Sequence, residues 1–424
     1  MMKNYVKCMK VSLLFVVCLL ELLLGCDDET KSLANAVSKP VGQEQNITYS
    51  SDSIFKSSKV YIGVNKENDS TYFERKWNGV PSIEIINNDH LLVAFNSRKG
   101  RIGGFSNGEG PETYITVSMK VLSENNWIQN VIVVKPVDAT ERIFDPCLWK
   151  DPKGNIHLFW TKSKPDSNHV FGVPKVWETC LTVNNKEISY TEPRLFMDNT
   201  ILLNKPITLG STILYPTYVY DVKNYAGLKG SINVFKGSIE KKSISIPSQI
   251  YINTEISQKT QKSTYWEPML VKLRDIDSLY CFVRTEGGIF FGSNSYQDSN
   301  NSFNGFSNFK KLSSIGINPE SRFHIRTLRS GKVLLVSNLG VNRSNMTAML
   351  CDNNNFIFTE KKLIDARGAV SYPDVSEDEF GNIYVVYDRE RTGAREILMT
   401  VFNESQLKDP NFQLESEIVF KPKK

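Results

Sequence analysis

Sustained helical periodicity is almost absent from this 424-residue chain, which excludes a helical bundle or an α-solenoid. Histidine is scarce, with four in all, and the seven cysteines fall at 8, 18, 26, 147, 180, 281 and 351. No CxxC pair and no His/Cys cluster occurs along the sequence, so no metal site is expected. Cys147, Cys180, Cys281 and Cys351 lie far apart and mostly between apolar neighbours, as in Tyr280-Cys281-Phe282. They read as buried thiols or as disulfide partners. A Walker loop, a GxGxxG turn and an HExxH pair are all missing, and no cofactor is expected. The formal charge of +5 is small for the length, and no basic run is interleaved with aromatics, which argues against nucleic acid as a partner.

What is present begins with Lys3, Lys7 and Lys10, followed by an apolar run from Val11 to Leu24 and then Gly25-Cys26. A positive start, a short apolar stretch and a small residue at the cut make a secretory signal, too short to span a bilayer. Leu23-Leu24-Gly25-Cys26 resembles the bacterial lipobox, which implies acylation of Cys26 and a lipid anchor in the cell envelope. Asp27, Asp28 and Glu29 resemble the surface-export signal of some Gram-negative lipoproteins. Residues 26–56 read as a flexible tether rich in Ser, Asn, Gln and Lys. The expected layout is a signal over 1–25, a lipidated tether over 26–56 and one folded body over 57–424.

In the body, strand-length runs of β-branched and aromatic residues recur between Gly, Asn, Asp and Pro. Examples are HLLVAF at 90–95, YITVSMKV at 114–121, NIHLFWT at 155–161, LYCFVRT at 279–285, KVLLVSN at 332–338 and NIYVVYD at 382–388. Polar turns ending in Gly precede three of them: Asp151-Pro152-Lys153-Gly154, Arg329-Ser330-Gly331 and Asp378-Glu379-Phe380-Gly381. This pattern predicts an all-β chain folded as a propeller, with six blades of roughly 60 residues each.

Several segments, taken in order, resemble the stations of the sialidase family. Trp77-Asn78-Gly79-Val80-Pro81-Ser82-Ile83, then the strand ending Asn96-Ser97-Arg98, stands where that family has an Arg-Ile-Pro motif. Phe144-Asp145-Pro146-Cys147 is similar to the opening of the next blade, and Asn204-Lys205-Pro206 to the point where the third blade meets the central cavity. Tyr265-Trp266-Glu267-Pro268 with Phe282-Val283-Arg284-Thr285 resembles the catalytic glutamate and second arginine. Asn342-Arg343-Ser344 resembles the third arginine's station, and Val370-Ser371-Tyr372-Pro373-Asp374 that of the nucleophilic tyrosine.

The resemblance implies a six-bladed sialidase-type propeller and an exo-glycosidase with Tyr372 as nucleophile and Glu267 as its base. A substrate carboxylate beside the anomeric carbon repels a charged nucleophile, which is why a phenol serves in that family. Arg284 and Arg343 would clamp the carboxylate, with Lys205, Arg322, Asp145 and Arg98 as further substrate contacts. The family's acid/base aspartate is missing from the glycine-rich loop at 103–112, so Glu109 and Glu112 take that role. Gly79 stands where the first arginine belongs, and Arg75, Arg322 or Arg326 could supply the charge. A terminal sialic acid or related acidic sugar is the implied substrate. A glycan-binding propeller without turnover and a lyase acting on an acidic sugar are the alternatives.

Overall fold

The computed structural model describes residues 55–56, 60–63, 75–87, 89–99, 110–164, 172–220, 230–240, 243–244, 248–251, 265–274, 278–285, 287–295, 306–316, 321–352 and 355–422. The chain divides into two contact units, Met1–Ile47 and Thr48–Lys424. The first unit, with Cys26 and the expected signal, lies outside the described residues, as does Glu109.

The second unit is a six-bladed β-propeller, each blade an antiparallel sheet. Blade 1 runs inward from Phe55–Lys56 and Val60–Gly63 through Trp127–Pro136, Tyr114–Val121 and His90–Arg98 to the inner strand Trp77–Asn87. The inner strands of blades 2 to 6 are Arg142–Lys150, Ile207–Leu209, Tyr265–Lys272, His324–Thr327 and Val370–Glu377. Each is followed by the second strand of its blade: Ile156–Ser163, Thr212–Tyr220, Ser278–Thr285, Val333–Asn338 and Ile383–Arg389.

Both faces of every blade are apolar because strand side chains alternate with period two and each blade packs against two others. In the HLLVAF run, Leu92 and Ala94 join the core shared with blade 2. Leu91, Val93 and Phe95 join the core shared with blade 6. Separate clusters fill the interfaces between blades 2 and 3, 3 and 4, 4 and 5, and 5 and 6. The ring closes between blades 6 and 1 by side chains: Gln129 donates to Val419 O at 2.6 Å, and Lys120 pairs with Glu417 at 2.7 Å.

One irregularity recurs in the inner strands and positions the site. In blades 1, 2, 4 and 6 two residues oppose one on the second strand, a β-bulge, with register shifts between Gly79/Ser82, Phe144/Cys147, Trp266/Met269 and Ser371/Asp374. The first residue of each bulge is left-handed: Val80 (φ 55°), Asp145 (54°), Glu267 (55°) and Tyr372 (54°). The second is always proline, which is tolerated because a bulge residue owes the ladder no N–H. Lys205-Pro206 holds the same place in blade 3, and Arg322-Phe323 holds it in blade 5 without the proline.

Candidate active site

Of the four bulge residues, two approach each other across the central mouth. Tyr372 from blade 6 donates its hydroxyl to Glu267 Oε1 of blade 4 at 2.8 Å. Arg284, on the second strand of blade 4, donates Nη1 to both Glu267 oxygens at 3.1 and 3.0 Å and to the Tyr372 hydroxyl at 3.1 Å. Residues 88 and 105 positions from Tyr372 in the chain thus converge on one phenol oxygen.

Arg343 lies on a 3-10 turn, Val341–Arg343, in which Asn342 and Arg343 have φ of 55° and 53°. Its guanidinium sits 5.6 Å from the Tyr372 ring centre and donates to Ser371 Oγ at 3.4 Å. Left-handed geometry at two consecutive non-glycine residues is strained and occurs where surrounding structure enforces it. Here Ala369 N bonds to Asn342 O at 3.1 Å.

A third arginine, marked by no motif along the chain, completes the set. Arg391, on the hairpin loop after Arg389, places its guanidinium 4.1 Å from the Tyr372 ring centre and 5.6 Å from that of Trp77. Asp388 orients it, accepting from Arg391 Nε at 2.9 Å and from Val80 N at 2.8 Å on the same oxygen. The loop is docked onto blade 1 by Asn78 N to Arg391 O at 3.1 Å and Arg395 Nη1 to Arg75 O at 2.6 Å. A Cβ built on Gly79 would meet Arg391 Nε at 2.8 Å. Position 79 lacks a side chain because Arg391 lies across it, so the cation missing from blade 1 enters from blade 6. Arg75, one of the expected substitutes, is turned to Thr116 and Asn130 within blade 1.

Three guanidiniums around one phenol shape its protonation. Burial and the neighbouring Glu267 carboxylate push the Tyr372 hydroxyl up, the arginines pull it down, and the balance leaves it raised to about 12. Burial alone would lower Arg284, but Glu267 and Tyr372 bonded to it hold it above its usual value. Arg343 is lowered by burial and by the nearby Arg391. The result is a phenol that stays neutral, hydrogen-bonded to Glu267 and facing concentrated positive charge. Trp77, Val80, Phe144, Ile201, Leu203 and Tyr218 form an apolar wall, against which Trp266 and Tyr372 pack.

Other expected contacts lie elsewhere. Lys205 donates to Ile83 O and Leu148 O at 2.5 Å each and pairs with Glu84 and Asp374 at 3.2 Å. Arg322, 1% exposed, donates Nε to Asn204 Oδ1 at 2.8 Å and lies 3.5 Å from Asp374. Asn204 in turn donates to Glu267 O and Pro268 O at 2.9 Å. A substrate role for Lys205 and Arg322 therefore gives way to a structural one: their charges are engaged in the channel beneath the mouth, tying blades together and supporting the bulge under Glu267. Glu112 is exposed with φ 64°, close enough to act electrostatically on the buried Arg98. Asp145 holds the blade 2 bulge position, its N–H donating to Asn96 Oδ1 at 3.0 Å.

A family model, BNR repeat-like domain, matches residues 89–385. The chain belongs to that family. It is a six-bladed BNR propeller, and three solved structures show the same fold. A protein of unknown function from Dyadobacter fermentans aligns with TM-score 0.55 at 15% identity, covering 80% of this chain and 95% of that one. The leech intramolecular trans-sialidase aligns with TM-score 0.56 at 12% identity over 81% and 70%. The NanB sialidase of Streptococcus pneumoniae aligns with TM-score 0.55 at 12% identity over 84% and 69%. No curated protein matches this BNR propeller by sequence.

Proposed function

We propose that this propeller is a retaining exo-glycosidase that removes a terminal acidic sugar, sialic acid or a close relative, from glycans. The observation that carries the reading is the Tyr372 hydroxyl held 2.8 Å from Glu267 beneath three guanidiniums. In this reading the substrate carboxylate lies against Arg284, Arg343 and Arg391, bringing the anomeric carbon over the phenol oxygen. Tyr372 attacks as its proton passes to Glu267, forming a C–O bond to the sugar while the glycosidic C–O bond breaks. The leaving oxygen takes its proton from an acidic group on the blade 1 side, the role given to Glu112 or Glu109. Water then attacks the tyrosyl adduct with the same groups reversed, so configuration is retained.

The solved relatives named as sialidases support the class of reaction through shared architecture, and the three-arginine cluster supports an anionic sugar. The test is turnover of a fluorogenic sialoside beside a panel of neutral glycosides. Tyr372→Phe should lower kcat at least about 10³-fold with unchanged melting. A Tyr372→Phe enzyme as fast as wild type would remove the mechanism, and binding without turnover on every glycoside would make the protein a glycan receptor.

A further inference from the structure

We propose that His157, Glu178 and Cys180 form a metal-binding site of the zinc class between blades 2 and 3, separate from the catalytic mouth. His157 lies on the second strand of blade 2, and Glu178 and Cys180 on the third, Lys175–Asn184. The register sets His157 directly opposite Cys180 and Phe159 opposite Glu178, so all three side chains emerge on one face of the sheet. The sequence hid this because the residues stand 21 and 23 positions apart, with no short motif.

The three ligand atoms are close together: His157 Nδ1 to Glu178 Oε1 2.7 Å, Cys180 Sγ to Glu178 Oε1 3.2 Å and Cys180 Sγ to His157 Nδ1 3.5 Å. With zinc bonds of about 2.3 Å to sulfur and about 2.0 Å to nitrogen and oxygen, these separations close on one ion, with angles of about 109° (S–Zn–N), about 96° (S–Zn–O) and about 85° (N–Zn–O). Opening the N–O pair by about half an ångström and the S–O pair by about 0.3 Å brings the set to a tetrahedral arrangement. Thiolate, imidazole and carboxylate together suit zinc better than calcium or magnesium, which take oxygen alone.

The surroundings match what a bound ion needs from its second layer of partners. Asp151 faces the other ring nitrogen of His157, Nε2, at 3.4 Å, the arrangement that turns Nδ1 toward a metal. Arg194 donates to the outer oxygen of Glu178 at 2.5 Å, leaving Oε1 for the ion. Zinc with one thiolate and one carboxylate is neutral overall, and Asp151 and Arg194 cancel each other. Tyr215 of blade 3 is fully buried and interacts electrostatically with Glu178, Arg194 and Asp151. Its hydroxyl has no hydrogen-bond partner among the described residues, and a metal-bound water would supply one. Cys180 is partly exposed, which leaves a route for the ion and for that water.

The internal repeat shows that the blade does not require these residues. The turn before His157 recurs before Leu334 and Tyr384, with Asp151, Leu328 and Asp378 each accepting the glycine N–H three residues on. At the three matching positions blade 5 has Leu334, Ala348 and Leu350, and blade 6 has Tyr384, Met399 and Val401. Blade 4 has Tyr280, Phe291 and Ser293. Where those blades bury mostly apolar side chains, blade 2 gathers three metal ligands.

The test uses the whole purified chain with zinc and cobalt salts. The expected result is about one zinc per chain after dialysis, and a cobalt form with a sulfur-to-cobalt charge-transfer band. Both should be lost in Cys180→Ser and in His157→Tyr, the latter installing the residue blade 6 carries. Asp151→Asn, which keeps the turn, should weaken zinc binding about 10- to 100-fold. Cys180→Ser alters a partly exposed position, so its far-ultraviolet spectrum and melting serve as the folding control. Absence of bound zinc at micromolar free metal, equal zinc in Cys180→Ser, or a cobalt spectrum without the sulfur band would each overturn the site.

Discussion

At the scale of the residue, the arginines define what the mouth can hold. Arg284 is fixed by Glu267 and by the phenol, so its removal would disturb the proposed nucleophile as well as the clamp. Arg391 is the cleaner probe, because it is oriented by Asp388 and contacts Tyr372 only through the face of its ring. Arg391→Ala should raise KM for an acidic glycoside about 10- to 100-fold, as expected for one charge-assisted contact, with a smaller effect on kcat. Adding Gly79→Arg to that variant should recover part of the loss, since the new side chain starts beneath the volume Arg391 leaves. Unchanged KM in the single variant would show that two arginines suffice. The sequence made Glu267, Arg284, Arg343 and Tyr372 legible through their order along the chain. Arg391 was not legible, because its place depends on how a hairpin loop of the last blade folds over the first, and the only trace is a glycine where an arginine was expected.

At the scale of the element, the strands and their turns were readable because apolar runs of strand length leave little choice of period. The turns at 151–155 and 378–382 are built alike. Asp378 Oδ1 accepts from Phe380 N at 2.9 Å and Asn382 N at 2.8 Å, and Oδ2 accepts from Asn382 Nδ2 at 2.7 Å and from Tyr384 OH at 3.3 Å. One carboxylate closes the hairpin that links the first two strands of blade 6. Asp378→Ala leaves those donors without it and should cost about 2 kcal/mol, read as a lower urea midpoint with an unchanged slope, whereas glycoside turnover below the transition should persist. The bulges were only half legible. The x-Pro pairs at 80–81, 145–146, 267–268 and 372–373 mark them, but proline alone does not reveal that the preceding residue turns left-handed. That turn is what lets a residue in an inner strand face its counterpart across the mouth, as Glu267 and Tyr372 do.

At the scale of the whole molecule, six blades that share no strand must be held in a ring, and the channel below the mouth does this with charge. Lys205 of blade 3 reaches blades 1, 2 and 6 at once, and Asp374 accepts from Ser82 Oγ at 2.8 Å and Ile83 N at 2.9 Å. Lys205→Met takes the cation from the buried Glu84 and leaves Asp374 to Arg322, and should destabilise the fold by about 3–5 kcal/mol. A variant with unchanged melting and weakened substrate binding would return Lys205 to the substrate. His324 provides a second readout of the same network. Burial, with Arg326 and Arg322 beside it, outweighs the pull of Asp374 at 3.0 Å and lowers the imidazole to about 4. In the unfolded chain it titrates near 6.5. Above about pH 6.5 neither state binds the proton and His324 adds no pH dependence. Between about 6.5 and about 4 only the unfolded chain takes it up, so stability falls with pH, by on the order of 3 kcal/mol at the bottom of the window. Asp374 is held well below the usual carboxylate range: burial opposes this, but Lys205 and His324 prevail. Its own contribution is lost only at still lower pH. Urea midpoints of wild type and His324→Gln, measured from pH 7 to 4, should therefore diverge in slope, with the variant flatter. Parallel curves would mean that the imidazole accepts a proton inside the folded channel.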